Sequence, residues 1–176
     1  MSQRTKELDP KLIERQNQVF HRLSKKQQRI AIAKDVLKQI KLKRYKAQPD
    51  TYVNILGLRN KGYNLGSSSQ FQEALLTENP SCNVCGIGAA FCSMARLGDG
   101  VNLWSDYHDK LLAMFSRRQV YLIEAAFEGK QIRFDSRLSS TDQKSTREFY
   151  RKYSKSSDRL AAIFRNILRN EGTFKP

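Results

Sequence analysis

Apolar positions recur along this chain in stripes, and one stretch breaks the pattern by being apolar on nearly every side. Between Ser81 and Leu97, Val84, Ile87, Phe91 and Met94 recur at helical spacing, while Cys85, Gly88, Ala89 and Cys92 fill another side. The spacing predicts a helix over 81–97, and a helix apolar all round has to be surrounded by other elements. Burying four large side chains stabilises by roughly 1.5–3 kcal/mol each. Gly86 and Gly88 oppose this by roughly 0.5–1 kcal/mol each, a cost that makes sense where a second backbone passes close by.

The flanking segments are amphipathic. Asp9 and Pro10 form a cap and first helical position, followed by an apolar stripe of Leu12, Ile13, Val19, Phe20 and Leu23. Ser24 and Gln27 form a capping box for a helix whose stripe is Ile30, Ala33, Val36, Leu37 and Ile40, and Pro49 closes it, so the first quarter reads as two tightly joined helices or one long bent helix. Residues 51–56 suit a short strand or an extended packing segment, and the glycines at 57, 62 and 66 make the next stretch loop-like. Further helices are expected from Ser67 through Leu76, from Trp104 to Phe115, and from Ser116 to a stop at Gly129. Residues 131–134 suit a second short strand, and Ser157 to Asn170 a final helix with a stripe of Leu160, Ile163, Phe164, Ile167 and Leu168. The expected fold is mainly α: a compact helical domain around the central buried apolar helix, with at most a small two-stranded β element. Residues 1–46 supply basic amphipathic helices, and 47–176 a helical core with a basic C-terminal segment, forming one globular unit with 25–46.

Charge changes this picture more than composition does. The net charge is +15 over 176 residues. Residues 1–46 hold 14 Lys/Arg against 4 Asp/Glu, and residues 136–176 hold 10 against 4, while the middle is close to neutral. Two basic ends around a neutral centre point to a polyanionic partner, either nucleic acid or an acidic host protein or nucleoprotein complex. The polar start has no signal-peptide core. The apolar run at 81–97 includes Arg96 and is shorter than the roughly 20 residues a membrane span needs. Three cysteines, an odd number, favour free thiols in a reducing compartment. The expectation is a cytoplasmic protein without a membrane segment.

Four phrases, Arg29 to Leu37, Cys82 to Ala90, Gln119 to Phe127 and Arg159 to Pro176, together resemble a group of small bacteriophage and mobile-element proteins to which no activity is assigned. The marks of that group are a helix reading C-x-V-C-[AG]-x-G-A and an end resembling N-x-G-T-F-x-P. The likeness spans about residues 29–176 and leaves the first helix outside. Alanine is expected after the second cysteine, where this chain has Gly86. The resemblance implies a phage or mobile-element setting and carries no catalytic residue with it.

Candidate chemistry is sparse. Cys82 and Cys85 form a C-x-x-C pair at the expected helix start, where the dipole favours a thiolate. They are candidates for a zinc site or a redox pair, against the plainer reading of buried, inert thiols. Cys92 lies about 10 Å further along a helix, too far to share one tetrahedral ion with Cys85, and there is no second C-x-x-C or C-x-x-H. Ser105 and His108 fall on neighbouring turns without a nucleophile elbow, and Ser105 fits equally as a helix cap. No phosphate-cradling loop and no dinucleotide fingerprint is present. No cofactor is implied.

The basic segments carry the better hypothesis. Lys25, Lys26, Arg29, Lys41, Lys43, Arg44 and Lys46 surround the second helix; Lys144, Arg147, Arg151, Lys152 and Lys155 cluster before the last, with Tyr150 and Tyr153 among them. Cations interleaved with aromatics suit phosphate contacts and base stacking, although a solvated cationic face is a common alternative. Neither segment matches a zinc finger, an RNA-recognition motif or a helix-turn-helix. The sequence therefore supports a non-enzymatic nucleic-acid-binding accessory protein. The alternatives are an interaction protein that inhibits a host protein or nucleoprotein complex, such as a defence system, and a thiol- or zinc-dependent function.

Overall fold

In the computed structural model, residues 9–58, 61–98, 100–102, 107–129 and 138–176 are described. The expected strand at 131–134, Ser105 and the His108 side chain lie outside the described residues. Helices α1 (Pro10–Arg22) and α2 (Lys25–Lys41) lead into strands β1 (Tyr45–Ala47) and β2 (Val53–Leu56). Helix α3 (Ser68–Thr77), strand β3 (Ser81–Val84) and helix α4 (Gly86–Leu97) come next. Helices α5 (Tyr107–Met114), α6 (Arg117–Glu128), α7 (Ser140–Lys152) and α8 (Ser156–Arg169) complete the order.

Local signals set most of these boundaries. The Asp9 carboxylate accepts from the Lys11 amide, with Pro10 opening α1. Both halves of the Ser24–Gln27 capping box are made at the start of α2. Ser116 caps α6, which stops at Gly129 in the left-handed conformation (φ 66°), the backbone state that glycine adopts without a Cβ penalty.

Every residue of α4 from Gly86 to Arg96 is buried. Helices α1, α2, α3, α5 and α6 and strands β2 and β3 all pack against it. Its glycines let neighbours in. A Cβ on Gly88 would lie 1.7 Å from the Tyr52 carbonyl oxygen, and one on Gly86 would lie 3.1 Å from the Ile123 side chain of α6. Arg96, near the end of α4, is held by its own fold: its guanidinium donates to the Leu75 carbonyl and pairs with Asp35 of α2 at 3.4 Å. Removing one partner of such a buried pair is strongly destabilising, because the other charge is left uncompensated.

The helix that the apolar spacing places over 81–97 is in fact two elements. Ser81–Val84 is a strand, and α4 begins only at Gly86 with Cys85 as its N-cap. Rather than a two-stranded element, the described residues form a three-stranded sheet in the order β1-β3-β2, with β1 parallel and β2 antiparallel to β3. Cys82 and Val84 face the core, while Asn83 pairs with Lys46 on one side and Asn54 on the other. A polar row therefore crosses the outer side of the sheet.

The segment beyond α8 is built into the core. Phe174 is fully buried, packs edge-on against Phe149 at 5.2 Å, and exchanges both backbone hydrogen bonds with the Gln119 amide. No helix among the described residues is long and apolar enough to cross a membrane.

Candidate nucleic-acid interface

Helices α2 and α8 pack side by side and run antiparallel, which decides where the basic segments go. At one end of the pair, Lys26 of α2 bonds Glu171, just past α8, at 2.5 Å. At the other end, the Ser156 hydroxyl at the start of α8 donates to the Ala47 carbonyl of β1 at 3.3 Å. Ala47 adjoins Lys46 and Ser156 adjoins Lys155, so the backbone at two cations 109 positions apart in sequence is brought close together. Both are exposed. The basic tail of α2 and the basic α7–α8 connection thereby share one end of the molecule.

The candidate cations divide into those facing solvent and those engaged internally. Lys41, Lys43, Lys46, Lys144, Arg147, Arg151, Lys152 and Lys155 are exposed, as is Lys25. Lys26 is exposed but tied to Glu171. Arg29 is half-buried and donates to the Gly172 and Met114 carbonyls at 2.7 and 3.1 Å, so it clasps the C-terminal tail and the end of α5. Arg44 is half-buried beside Gln39, and burial together with the nearby Arg96 charge lowers its pKa.

The two tyrosines also differ. Tyr150 lies under the Arg159 guanidinium, 4.1 Å from its ring centroid, and its ring edge abuts Gly129, where a Cβ would come within 2.1 Å. Packed this way, half-buried between Arg159 and Gly129, its ring is engaged internally and is not a platform for a base. Tyr153 packs against Phe149 in a tilted pair, ring centroids 4.9 Å apart. It also lines a 440 Å³ groove on the outer side of α8, with Ala162, Arg165, Leu168 and Arg169.

With no family model, no curated protein and no solved structure does the chain have a significant match. The chemistry of the surface must therefore be read from its own residues.

Four cations of this surface were not singled out from the sequence. Lys34 and Lys38 continue the exposed side of α2 toward Lys41, and Arg165 and Arg169 form the exposed side of α8. Their signal was present in the sequence: each set recurs three or four residues apart, opposite a stripe of buried apolar residues. Asp158 and Glu148 are the exposed acids on α8 and α7. The surface thus carries a large excess of positive charge, with the flexible lysines and planar guanidiniums that suit phosphate oxygens.

The cysteines lie apart from this surface, and all three are buried and free. The Cys85 sulfur accepts from the Gly88 amide at 3.4 Å, yet burial pushes its thiol up to about 12. Desolvation here outweighs the helix dipole that favours a thiolate. Cys82 sits on β3, its thiol against that of Cys92, and this hydrogen bond together with burial drives Cys92 well up. Among the described residues no group of three or more His, Cys, Asp or Glu side chains is placed to hold a metal ion.

Proposed function

We propose that this chain is a non-enzymatic accessory protein that binds nucleic acid through the cationic surface of α2, β1, the end of α7 and α8. The contacts are to phosphates and independent of base sequence. The observation that supports this reading is the hydrogen bond of Ser156 to Ala47, which brings the backbone beside the exposed Lys46 close to the backbone beside the exposed Lys155. The phage or mobile-element setting belongs to the same proposal and rests on the four phrases Arg29 to Leu37, Cys82 to Ala90, Gln119 to Phe127 and Arg159 to Pro176.

Titration against duplex DNA and RNA at several salt concentrations tests it. On duplex DNA, log K should fall linearly with log salt, with a slope of about −0.9 per phosphate neutralised. Absence of binding at low salt would overturn the reading. A stoichiometric complex with an acidic protein, intact after nuclease treatment, would move the same surface to a protein partner.

A further inference from the structure

The groove on α8 has a composition that a general phosphate-binding surface does not require. Its lining combines the apolar Ala162 and Leu168, the aromatic Tyr153, and Arg165 and Arg169, which stand one helical turn apart. Its volume of 440 Å³ falls within the roughly 300–1,000 Å³ typical of small-ligand sites. Among the described residues neither arginine has a carboxylate partner.

The Tyr153 ring is held in place by its neighbours. Phe149 packs against the Tyr153 ring, the two planes tilted by 49°. The buried Arg159 guanidinium donates to the Tyr153 and Ser154 carbonyls, both at 2.8 Å, and to the Phe127 carbonyl at 2.9 Å. One buried cation thus fixes the α7–α8 connection to the end of α6, and with it the position of the ring. A ring already ordered before binding loses little conformational entropy when a flat group settles on it. Lys152 adds a third cation, its exposed ammonium lying over the face of the same ring, 5.6 Å from the centroid.

An open groove lined by an aromatic ring, two apolar side chains and two guanidiniums matches a nucleotide: a base with a π-face joined to a phosphate. We propose that this groove takes one unpaired nucleotide of a single-stranded nucleic acid. The base lies along Tyr153 over Ala162 and Leu168, and the adjoining phosphates lie on Arg165 and Arg169. The inference rests on the nucleic-acid reading above and specifies the strand state of the partner. In a duplex both faces of each base are covered by its neighbours in the stack, so an aromatic wall inside a groove can reach a base face only when the base is free.

The test uses the full chain and a short DNA oligonucleotide carrying 2-aminopurine, offered single-stranded and as the matching duplex, with free AMP as a third probe. Single strands should bind more tightly than the duplex, and 2-aminopurine fluorescence should be quenched on binding as the base stacks. Tyr153→Leu should weaken single-strand binding by roughly 5- to 150-fold, the range for losing one aromatic–base stack, and leave duplex binding within about twofold. Tyr153→Phe should restore the affinity. Arg165→Gln with Arg169→Gln, both at exposed positions, should weaken binding without changing the melting temperature. An absence of quenching in the unaltered protein would overturn the inference even if Tyr153→Leu failed to fold. So would equal affinity for both strand states with Tyr153→Leu silent, and in that case the cationic surface would stand without the groove. Competition by AMP as strong as that by the oligonucleotide would make this a mononucleotide site and overturn the strand assignment. Failure to bind either form at low salt would remove both readings together.

Discussion

At the scale of single residues, the interior discriminates between groups that look alike in the sequence. Cys85 stands where a helix N-terminus ought to activate a thiol, but burial holds its pKa at about 12. It should therefore resist alkylation by iodoacetamide at about pH 8 in the folded protein and react only after denaturation. Mass spectrometry showing rapid native labelling of Cys85 would contradict this. Gly88 is fixed by a different constraint, since its missing Cβ leaves room for the Tyr52 carbonyl. Gly88→Ala should cost about 3 kcal/mol or more, a drop in melting temperature of roughly 6–12 °C for a chain of this size. A melt unchanged to within about 2 °C would mean that the two backbones do not touch. That a second backbone passes near the glycines was legible in an apolar stretch that tolerates them; which backbone was not, because nothing local to residues 52 and 88 records their meeting.

At the scale of elements, caps and stripes carried more information than pairing did. The Ser24–Gln27 box and the Gly129 stop were readable because their physics is confined to neighbouring residues. Strand β3 was hidden inside a predicted helix, since four residues alternating between core and surface are too few to separate a period of two from one of 3.6. Its pairing with β1, much earlier in the chain, exists only once the fold has formed. Helix α7 shows how one side chain anchors an element. Asp142 accepts two hydrogen bonds from the Arg118 guanidinium of α6, at 2.9 and 2.6 Å, which with its Ser139 contacts hold its carboxyl below the ordinary aspartate value. A depressed pKa in the folded state means that the unfolded chain binds the proton more tightly. The stabilisation is therefore complete above about pH 4 and is lost as pH falls through the folded value. Asp142→Asn should lower the melting temperature at neutral pH and flatten its decline in acid. An acid decline as steep as that of the parent protein would place the titrating group elsewhere.

At the scale of the whole molecule, the antiparallel course of α2 and α8 turns two remote stretches of charge into neighbours. The basic character of each stretch was legible from composition; their adjacency was not, because it depends on which helix packs beside which. Lys46→Glu and Lys155→Glu should each weaken binding to the same duplex and reduce the salt slope by about 0.9 for each phosphate that is no longer neutralised. Lys11→Glu, at the start of α1, should leave both unchanged. If the change at Lys46 reduced binding while that at Lys155 did not, the two ends would not be serving one surface.

The sheet has a consequence for how a nascent chain comes to this fold. Its middle strand is the last of the three to be synthesised, so β1 and β2 emerge with no partner and must wait for residues 81–84. Unpaired strands invite pairing with other molecules. Here the waiting strands are three and four residues long, and each carries a hydrophilic gatekeeper, Lys46 in one and Asn54 in the other. The same two side chains that later flank Asn83 thus guard against clumping before it arrives.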